Sequence, residues 1–242
     1  MQILPHLSLK ELETKLVISE EVEVTEFAPQ AFSALRALDG YSQEALKAAL
    51  EIQASSKFSE QDHGEQGGGR SGSFIFRSSD QRLLIKTMSE ADFRAFLRVQ
   101  RAYFERVQND PASLLARIYG IYSVQVEDQR PVRLIVMENV IRNAGPETVL
   151  GIFDLKGSSV DRIVKQKHVT PSMTLKDLNL KSMNKKMRWL NFRESDRKKI
   201  MQVLAKDVQL LEQHKLMDYS LLLCIQRNPD RLTPRGTKVR YR

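Results

Sequence analysis

The stretch that most constrains the fold is residues 152–159, IFDLKGSS, in which a short apolar run ends in an acid, a lysine, a glycine and two serines. The apolar start is typical of a strand, and Gly157 can adopt the positive φ that a tight turn requires. Lys156, Ser158 and Ser159 could then converge on an anion such as a phosphate group. Taken alone, the stretch also fits an ordinary type II turn with polar side chains.

Length and composition favour a globular protein. The 242 residues suffice for one large or two modest domains, and the 41% of hydrophobic residues can build a core. No apolar run approaches the roughly 18 residues of a membrane span. Residues 1–6 lack a basic segment followed by an apolar one, so we expect neither insertion nor secretion. The single cysteine, Cys224, lies in an apolar run, which predicts a buried side chain and fits a reducing compartment.

Charge is divided unevenly along the chain. Residues 1–150 carry 17 Lys and Arg against 21 Asp and Glu, whereas residues 151–242 carry 21 against 9, a net charge of +12. Such a charge suits nucleic acid, an anionic lipid surface or a polyphosphate ligand, and composition does not separate these three. We therefore expect residues 151–242 to face an anionic partner rather than to be merely soluble.

The N-terminal part of the chain predicts a strand followed by helices. Residues 20–27 alternate as in a strand, and Pro29 then begins a helix that places apolar residues up to Leu38 on one face and stops at Gly40. Ser42 can cap a second helix. These elements suggest packing rather than chemistry.

A glycine-rich run leads directly into a strand at residues 67–76, GGGRSGSFIF. Glycines leave backbone N–H groups free to approach phosphate oxygens. The next strand, residues 82–88, alternates so that Lys86 shares a face with Leu84 and Met88. Kinases use a glycine-rich hairpin followed by an inward lysine to hold nucleotide phosphates. A flexible hairpin turn and a solvated edge-strand lysine are the alternatives.

Ser89 predicts the start of a long helix that ends at residues 109–111, NDP. Glu90 or Asp92 could reach back from this helix and pair with Lys86. Ser89 and Asp92 also have the spacing of a capping box, however, so a structural role for Asp92 is the alternative.

Two further strands are predicted at residues 118–126 and 132–140, joined by a polar turn. The second strand ends in residues 137–140, MENV, where a strand leaving the sheet could offer backbone N–H and C=O groups to a purine. Residues 143–146 are typical of a linker.

Residues 165–199 form a basic tract with interspersed Met, Trp and Phe side chains, for which a solvated loop and a nucleic-acid contact are the alternatives. Ser195 then predicts the N-cap of a long amphipathic helix. Directly after it, residues 217–223, MDYSLLL, place Asp218 at the mouth of a buried strand. That is a common position for a catalytic carboxylate, and an aspartate bonded to local backbone is the alternative.

Five motifs, in order and spacing, resemble those of the phosphatidylinositol phosphate kinases. The most specific pair is DLKGS at residues 154–158 and MDYSLL at residues 217–222, and the similarity extends from about Phe27 to about Leu223. The other three are GRSGSF at 69–74, IKT at 85–87 and TLKDL at 174–178.

The resemblance implies an α+β fold with two kinase-like lobes, each containing an antiparallel sheet. Residues 1–143 would form the N-terminal lobe and residues 144–242 part of the C-terminal lobe. Members of this family continue to a second aspartate that binds Mg²⁺ and to an activation loop that selects the lipid, and the sequence shows neither. We therefore expect an incomplete C-terminal lobe and assign no metal-binding residue.

The resemblance also implies roles for single residues, with ATP and Mg²⁺ as cofactors. Asp218 would be the catalytic aspartate, Lys156 would act among the phosphates, and Arg162 would contact the lipid headgroup. Lys86 would hold the ATP phosphates. The remaining ATP contacts would come from the hairpin and from the hinge beside adenine: Gly69, Ser71, Gly72, Ser73, Met137, Glu138, Asn139 and Val140.

By the same resemblance, the function is ATP-dependent phosphorylation of the inositol ring of a phosphatidylinositol monophosphate. Residues 71–74, SGSF, favour the type I branch, which converts the 4-phosphate to the 4,5-bisphosphate. A catalytically impaired fragment or pseudokinase that acts as a membrane-binding scaffold is the alternative. The implied partners are a phosphoinositide lipid, an anionic membrane and a second copy of the chain bound through the N-terminal lobe. The implied location is cytoplasmic, at the cytosolic face of membranes. Nucleic acid is not expected, because it leaves Lys86 and the glycine-rich hairpin unexplained.

Overall fold

The structure is a computed structural model that describes residues 13–19, 21–50, 74–141, 148–165, 170 and 173–227. The chain divides into two compact units, Met1–Asn139 and Val140–Arg242. Both units contain helices and a sheet, which confirms the predicted α+β class. The assignment of kinase lobes that meet at residue 143 stays a prediction.

The strands described in the first unit form one six-stranded antiparallel sheet. They are β1 Glu13–Ser19, β2 Val22–Phe27, β3 Ile75–Arg77, β4 Leu83–Met88, β5 Ile118–Val126 and β6 Val132–Glu138. Their order across the sheet is β1-β2-β5-β6-β4-β3. The sequence predicts β2 to β6, although β6 ends at Glu138 rather than at residue 140, and it does not predict β1.

The helices described in this unit begin where local rules predict. They are α1 Pro29–Leu38, α2 Gln43–Leu50 and α3 Glu90–Asn109. Pro29 occupies the first turn of α1, where its missing N–H costs nothing. The Ser42 hydroxyl accepts the N–H of Ala45 at 3.1 Å, and Ser89 and Asp92 form the predicted capping box.

The larger of two core clusters in the first unit lies between the sheet and helices α1 and α3, and the smaller one includes residues of α2. Phe32 and Phe104 are 0% and 1% exposed, and their ring centroids lie 5.2 Å apart in an edge-to-face arrangement. Leu35 is also buried, but Leu38, predicted on the same face, is 59% exposed. Leu38 is the last residue of α1, so its side chain lies beyond the part of the helix that packs.

We predict that Phe104→Ala lowers the free energy of unfolding by about 3–5 kcal/mol, because it leaves a cavity in this core. Denaturant unfolding followed by circular dichroism measures the loss. Phe74→Ala removes the same side chain from a position that is 67% exposed, and its effect should stay near about 0.5 kcal/mol. Equal losses in the two variants would contradict the assignment of this core.

The second unit contains a smaller, mixed sheet. Its described elements are β7 Val149–Leu155, β8 Thr174–Leu175, α4 Asp177–Met187, α5 Glu194–Gln213 and β9 Leu221–Gln226. The strand order is β8-β7-β9, with β9 antiparallel and β8 parallel to β7. The predicted antiparallel pairing therefore holds for β7 and β9, whereas β8 departs from it.

Part of the basic tract folds as a helix and packs. Leu180 on α4 and Trp189 after it are both 8% exposed, and they join Phe153 and Ile225 in the core of this unit. The expectation of a solvated loop or of aromatic contacts to nucleic acid is therefore wrong for these residues. The hydrophobic effect that buries their side chains also anchors the start of α4 beside the end of β7.

Two smaller expectations also need correction. Ser195 lies inside the first turn of α5, because Arg193, with extended backbone, is the N-cap residue. Cys224 is half-buried rather than buried, and that burial raises the pKa of its thiol.

Candidate active site

Two of the predicted catalytic residues meet at one end of the second sheet. Leu155 pairs with Leu221 across β7 and β9, so the chain that leaves β7 and the chain that enters β9 lie side by side. The ammonium of Lys156 contacts the carboxylate of Asp218 across 62 residues of sequence. The side chains are 29% and 84% exposed, respectively, so the contact faces solvent.

Lys156 holds Asp218 in its ionised form. The hydrogen bond from Lys156 and its positive charge keep the pKa of the Asp218 carboxyl below its ordinary value, with a smaller contribution from the charge of Arg162. Asp218 also adopts a left-handed backbone, with φ +61°, a conformation that aspartate tolerates better than most residues. The Asp218 carboxylate contacts a side chain distant in sequence, that of Lys156, whereas the alternative interpretation predicts a hydrogen bond to nearby backbone.

The turn after β7 is closed by a carboxylate of the chain itself. Gly157 has φ +69°, which confirms the predicted tight turn. The N–H groups of Lys156 and Gly157 both donate to Oδ1 of Asp177, at 3.1 and 2.9 Å. The Ser158 hydroxyl accepts the N–H of Val160 at 3.2 Å. In this structure Lys156 and Ser158 therefore have separate partners within the chain, and their convergence on an anion stays a prediction.

Arg162 is engaged by two carboxylates. Its Nε donates to Oδ2 of Asp177 at 2.7 Å, and its Nη2 donates to the carbonyl of Asp154 and, at 3.3 Å, to the carboxylate of Asp154. The residue is 9% exposed. Its predicted contact with a lipid headgroup stays a prediction, and the observed bonds make Arg162 part of the loop that follows β7.

Asp177 is the site residue that sequence reasoning missed. It lies in the TLKDL motif but receives no role from the sequence, although an acid at the start of a helix is a local signal. Burial raises its pKa, but the hydrogen bonds from Arg162 and from the N–H groups of the turn outweigh this and hold the pKa below the ordinary value.

Lys86 lies on an interior strand of the first unit. It pairs with Ile75 of β3 and Ile135 of β6, so the alternative of an edge-strand lysine is wrong. Glu90 instead binds Arg94 and Arg133, at 2.8 Å each, and the Asp92 carboxylate accepts the Ser89 hydroxyl at 2.7 Å. The expectation that one of these acids fixes Lys86 is therefore wrong.

Part of the segment predicted to contact adenine is already hydrogen-bonded within the first unit. The N–H groups of Glu138 and Asn139 donate to the carbonyls of Arg117 and Arg82, at 2.8 Å each. Glu138 and Asn139 are also buried, at 9% and 7% exposure, whereas Val140 is 40% exposed. Met137 pairs within the sheet. Of these four residues, only Val140 is exposed, and the contact of the segment with adenine stays a prediction.

Four predicted nucleotide contacts, Gly69, Ser71, Gly72 and Ser73, lie outside the described residues. Within the described ranges, no group of three or more His, Cys, Asp or Glu side chains could hold a metal ion. Each helix in the same ranges is too short or too polar to cross a bilayer.

A family model described as phosphatidylinositol-4-phosphate 5-kinase matches residues 57–239. The chain belongs to the phosphatidylinositol-4-phosphate 5-kinase family. This confirms the resemblance found in the motifs, and the match includes both DLKGS and MDYSLL.

Curated relatives in this family are considerably longer than the chain. Phosphatidylinositol 4-phosphate 5-kinase 6 of Arabidopsis thaliana is 33% identical over 160 residues, which cover 64% of this chain and 21% of that protein. Phosphatidylinositol 4-phosphate 5-kinase type-1 beta of Mus musculus is 34% identical over 159 residues, which cover 65% of this chain and 28% of that protein. The matched segment is thus about a fifth of the first relative and more than a quarter of the second.

We predict that Lys156→Met raises the pKa of the Asp218 carboxyl toward its ordinary value, because the hydrogen bond and the charge that lower it are removed. A ¹³C NMR titration of the Asp218 carboxyl measures this. In the parent, the pair stabilises the fold above the unfolded-state pKa of Asp218, and that stability is lost as the pH falls through the lower folded-state pKa.

Lys181→Met is the matched control, because Lys181 is an exposed lysine on α4. It should leave the titration of Asp218 unchanged. An Asp218 titration that is identical in Lys156→Met and in the parent would show that the two side chains do not interact in solution.

Proposed function

We propose that the chain contributes the nucleotide-binding and catalytic residues of an ATP-dependent lipid kinase. Its substrate is a phosphatidylinositol monophosphate, of which phosphatidylinositol 4-phosphate is the one we favour, with the 4,5-bisphosphate as product. The observation that carries the proposal is the contact between Lys156 and Asp218, within a chain of the phosphatidylinositol-4-phosphate 5-kinase family.

Phosphoryl transfer needs an aligned nucleophile and neutralisation of charge on the phosphoryl oxygens. Asp218 is an ionised, exposed carboxylate, so it can accept a hydrogen bond from the attacking inositol hydroxyl and orient it. As the hydroxyl oxygen bonds to the γ-phosphorus, the bond to the ADP oxygen breaks and ADP leaves with the electron pair. The hydroxyl proton passes to Asp218.

Lys156 supplies positive charge beside this carboxylate. Its ammonium now contacts Asp218, and because the contact is open to solvent it can be exchanged for a phosphate oxygen at little cost. Lys156 would then neutralise charge that develops on the transferring group. This movement requires no change in β7 or β9, since only the side chain turns.

ATP would be held by Lys86 and by the backbone of Val140. Lys86 fits because it lies on an interior strand next to the strand that follows the glycine-rich run. Val140 fits because the N–H groups of the two preceding residues are already bonded. The hairpin residues Gly69, Ser71, Gly72 and Ser73 keep their predicted role at the phosphates.

Mg²⁺, which the family implies, takes oxygen ligands from carboxylates and phosphates. Among the described residues, no three or more His, Cys, Asp or Glu side chains lie close enough together to hold a metal ion by themselves.

The alternative function is a membrane-binding scaffold without catalysis. The observation that favours it is the net charge of +12 in residues 151–242, part of which is exposed on α4 as Lys181, Lys185 and Lys186. Such lysines attract anionic lipid headgroups at about 1 kcal/mol each near a membrane surface. We propose association with the cytosolic face of membranes for both functions.

We predict that Lys86→Ala weakens ATP-analogue binding by about 10- to 100-fold, because hydrogen bonds between charged groups contribute about 1.5–3 kcal/mol. Fluorescence titration with a labelled ATP analogue measures the affinity. Lys47→Ala, at an exposed position on α2, is the matched control and should bind like the parent. Unchanged affinity in Lys86→Ala would remove this lysine from the site.

We predict that Asp218→Asn spares nucleotide affinity but slows transfer from radiolabelled ATP to phosphatidylinositol 4-phosphate in vesicles by about 10²- to 10⁴-fold. The amide keeps the size of the side chain but cannot accept the proton. Asp196→Asn on α5 is the control and should retain the parent rate. Transfer by Asp218→Asn near the parent rate would contradict the proposed role, and a parent that binds the vesicles without transfer would favour the scaffold.

A further inference from the structure

The carboxylate of Asp177 bonds three donors from the loop that follows β7. Its Oδ1 accepts the N–H groups of Lys156 and Gly157, at 3.1 and 2.9 Å, and its Oδ2 accepts Nε of Arg162 at 2.7 Å. The Asp177 and Arg162 side chains are 15% and 10% exposed. Oδ1 therefore binds the backbone of Lys156 and Gly157 directly, while Oδ2 joins the same loop through Arg162.

Further contacts from the start of α4 hold the far end of the same loop. The Leu178 N–H donates to the carbonyl of Arg162 at 3.0 Å. The side-chain amide of Asn179 accepts the Val164 N–H at 2.9 Å and donates to the Val164 carbonyl at 3.1 Å. The loop 156–164 is thus fixed at both ends by consecutive residues of α4, which is itself anchored in the core by Leu180.

These contacts fix the position of the Lys156 backbone, from which its side chain extends. Lys156 follows the last residue of β7, and its backbone N–H is bound by Asp177 while its ammonium meets Asp218. If the N–H groups of the turn lost their acceptor, the turn could swing away from β9, and a flexible lysine side chain would no longer be directed to one carboxylate.

We propose that Asp177 is a positioning residue whose carboxylate holds the Lys156–Gly157 turn so that the ammonium of Lys156 faces Asp218. The inference rests on the proposed function for its catalytic meaning, because it concerns the orientation of the charge that neutralises the transferring phosphoryl group. It also gives Arg162 a second use, as the cation that keeps the Asp177 carboxylate ionised and oriented.

The test is the pKa of the Asp218 carboxyl in Asp177→Asn, measured by ¹³C NMR in the whole chain. The charges that act on Asp218 are those of Lys156 and, more weakly, Arg162. Removal of a negative charge at Asp177, and release of Arg162 from its partner, would by themselves lower the pKa of Asp218. Loss of the orientation of Lys156 raises it. The sign of the shift therefore separates positioning from simple electrostatics.

We expect the pKa of Asp218 to rise in Asp177→Asn toward the value found in Lys156→Met. Asp196→Asn, which neutralises an acid in the first turn of α5 paired with Arg193 at 3.1 Å, should leave it unchanged. Asp177→Glu keeps a carboxylate and should restore at least part of the parent value. A fall or no change in Asp177→Asn, with β7 and β9 amide resonances unchanged, overturns the proposal.

If Asp177→Asn does not fold, Asp177→Glu and the parent still decide the matter. In the parent, the amide proton resonances of Lys156 and Gly157 should shift as Asp177 is protonated, because both groups donate to its carboxylate. Resonances that do not respond to this titration overturn the proposal.

The same variants separate this inference from the proposed function. Asp177→Asn should lower kcat for lipid phosphorylation and leave the affinity for the ATP analogue unchanged, with partial recovery in Asp177→Glu. If the parent does not phosphorylate the lipid but the pKa of Asp218 rises in Asp177→Asn, the positioning is supported and the kinase function is contradicted. If the parent phosphorylates the lipid but the pKa of Asp218 does not rise in Asp177→Asn, only the positioning is contradicted.

Discussion

The register between β7 and β9 is the constraint on which the candidate site depends. Leu155 pairs with Leu221, so the residues just beyond the two strands are brought to the same end of the sheet. A slip of one residue would turn every side chain of β9 to the opposite face. Ile225, which is fully buried against the core that contains Phe153, would then leave that core. The packing that stabilises the second unit therefore also places Lys156 beside Asp218.

Two ion pairs near this end of the sheet differ in solvent exposure, and this difference suits them to different roles. The pair between Arg162 and Asp177 is largely shielded from solvent, and it ties the start of α4 to the loop that follows β7. The pair between Lys156 and Asp218 is open to solvent and can exchange partners. The shielded pair thus maintains the shape of the loop, while the exposed pair consists of charged groups that are open to solvent.

Local rules explain what the sequence predicts correctly. The capping box of Ser89 and Asp92, the proline at the start of α1 and the positive φ of Gly157 each depend on a few neighbouring residues. Strands β4 and β5 follow from alternation and turn residues alone. The same local rules, read with family motifs, bring out Lys156 and Asp218 as candidates.

Long-range partners explain what the sequence does not predict. Asp177 bonds a turn 20 residues away, and no local pattern states which backbone a helix-start acid will meet. Glu90 binds Arg133, 43 residues away, although Lys86 is much closer in sequence. The parallel strand β8 has only two residues, too few for a periodic signal. The N-cap of α5 is Arg193 rather than the predicted Ser195.

The central claim, that Lys156 and Asp218 share one phosphate-binding site, is tested most directly by zero-length carbodiimide cross-linking followed by mass spectrometry. The account predicts an amide bond between Lys156 and Asp218 that an ATP analogue suppresses, while a bond between Lys198 and Glu194, 3.9 Å apart on α5, forms with or without nucleotide. The account would be contradicted if the bond between Lys198 and Glu194 formed but the bond between Lys156 and Asp218 did not. It would also be contradicted if the ATP analogue did not reduce the bond between Lys156 and Asp218.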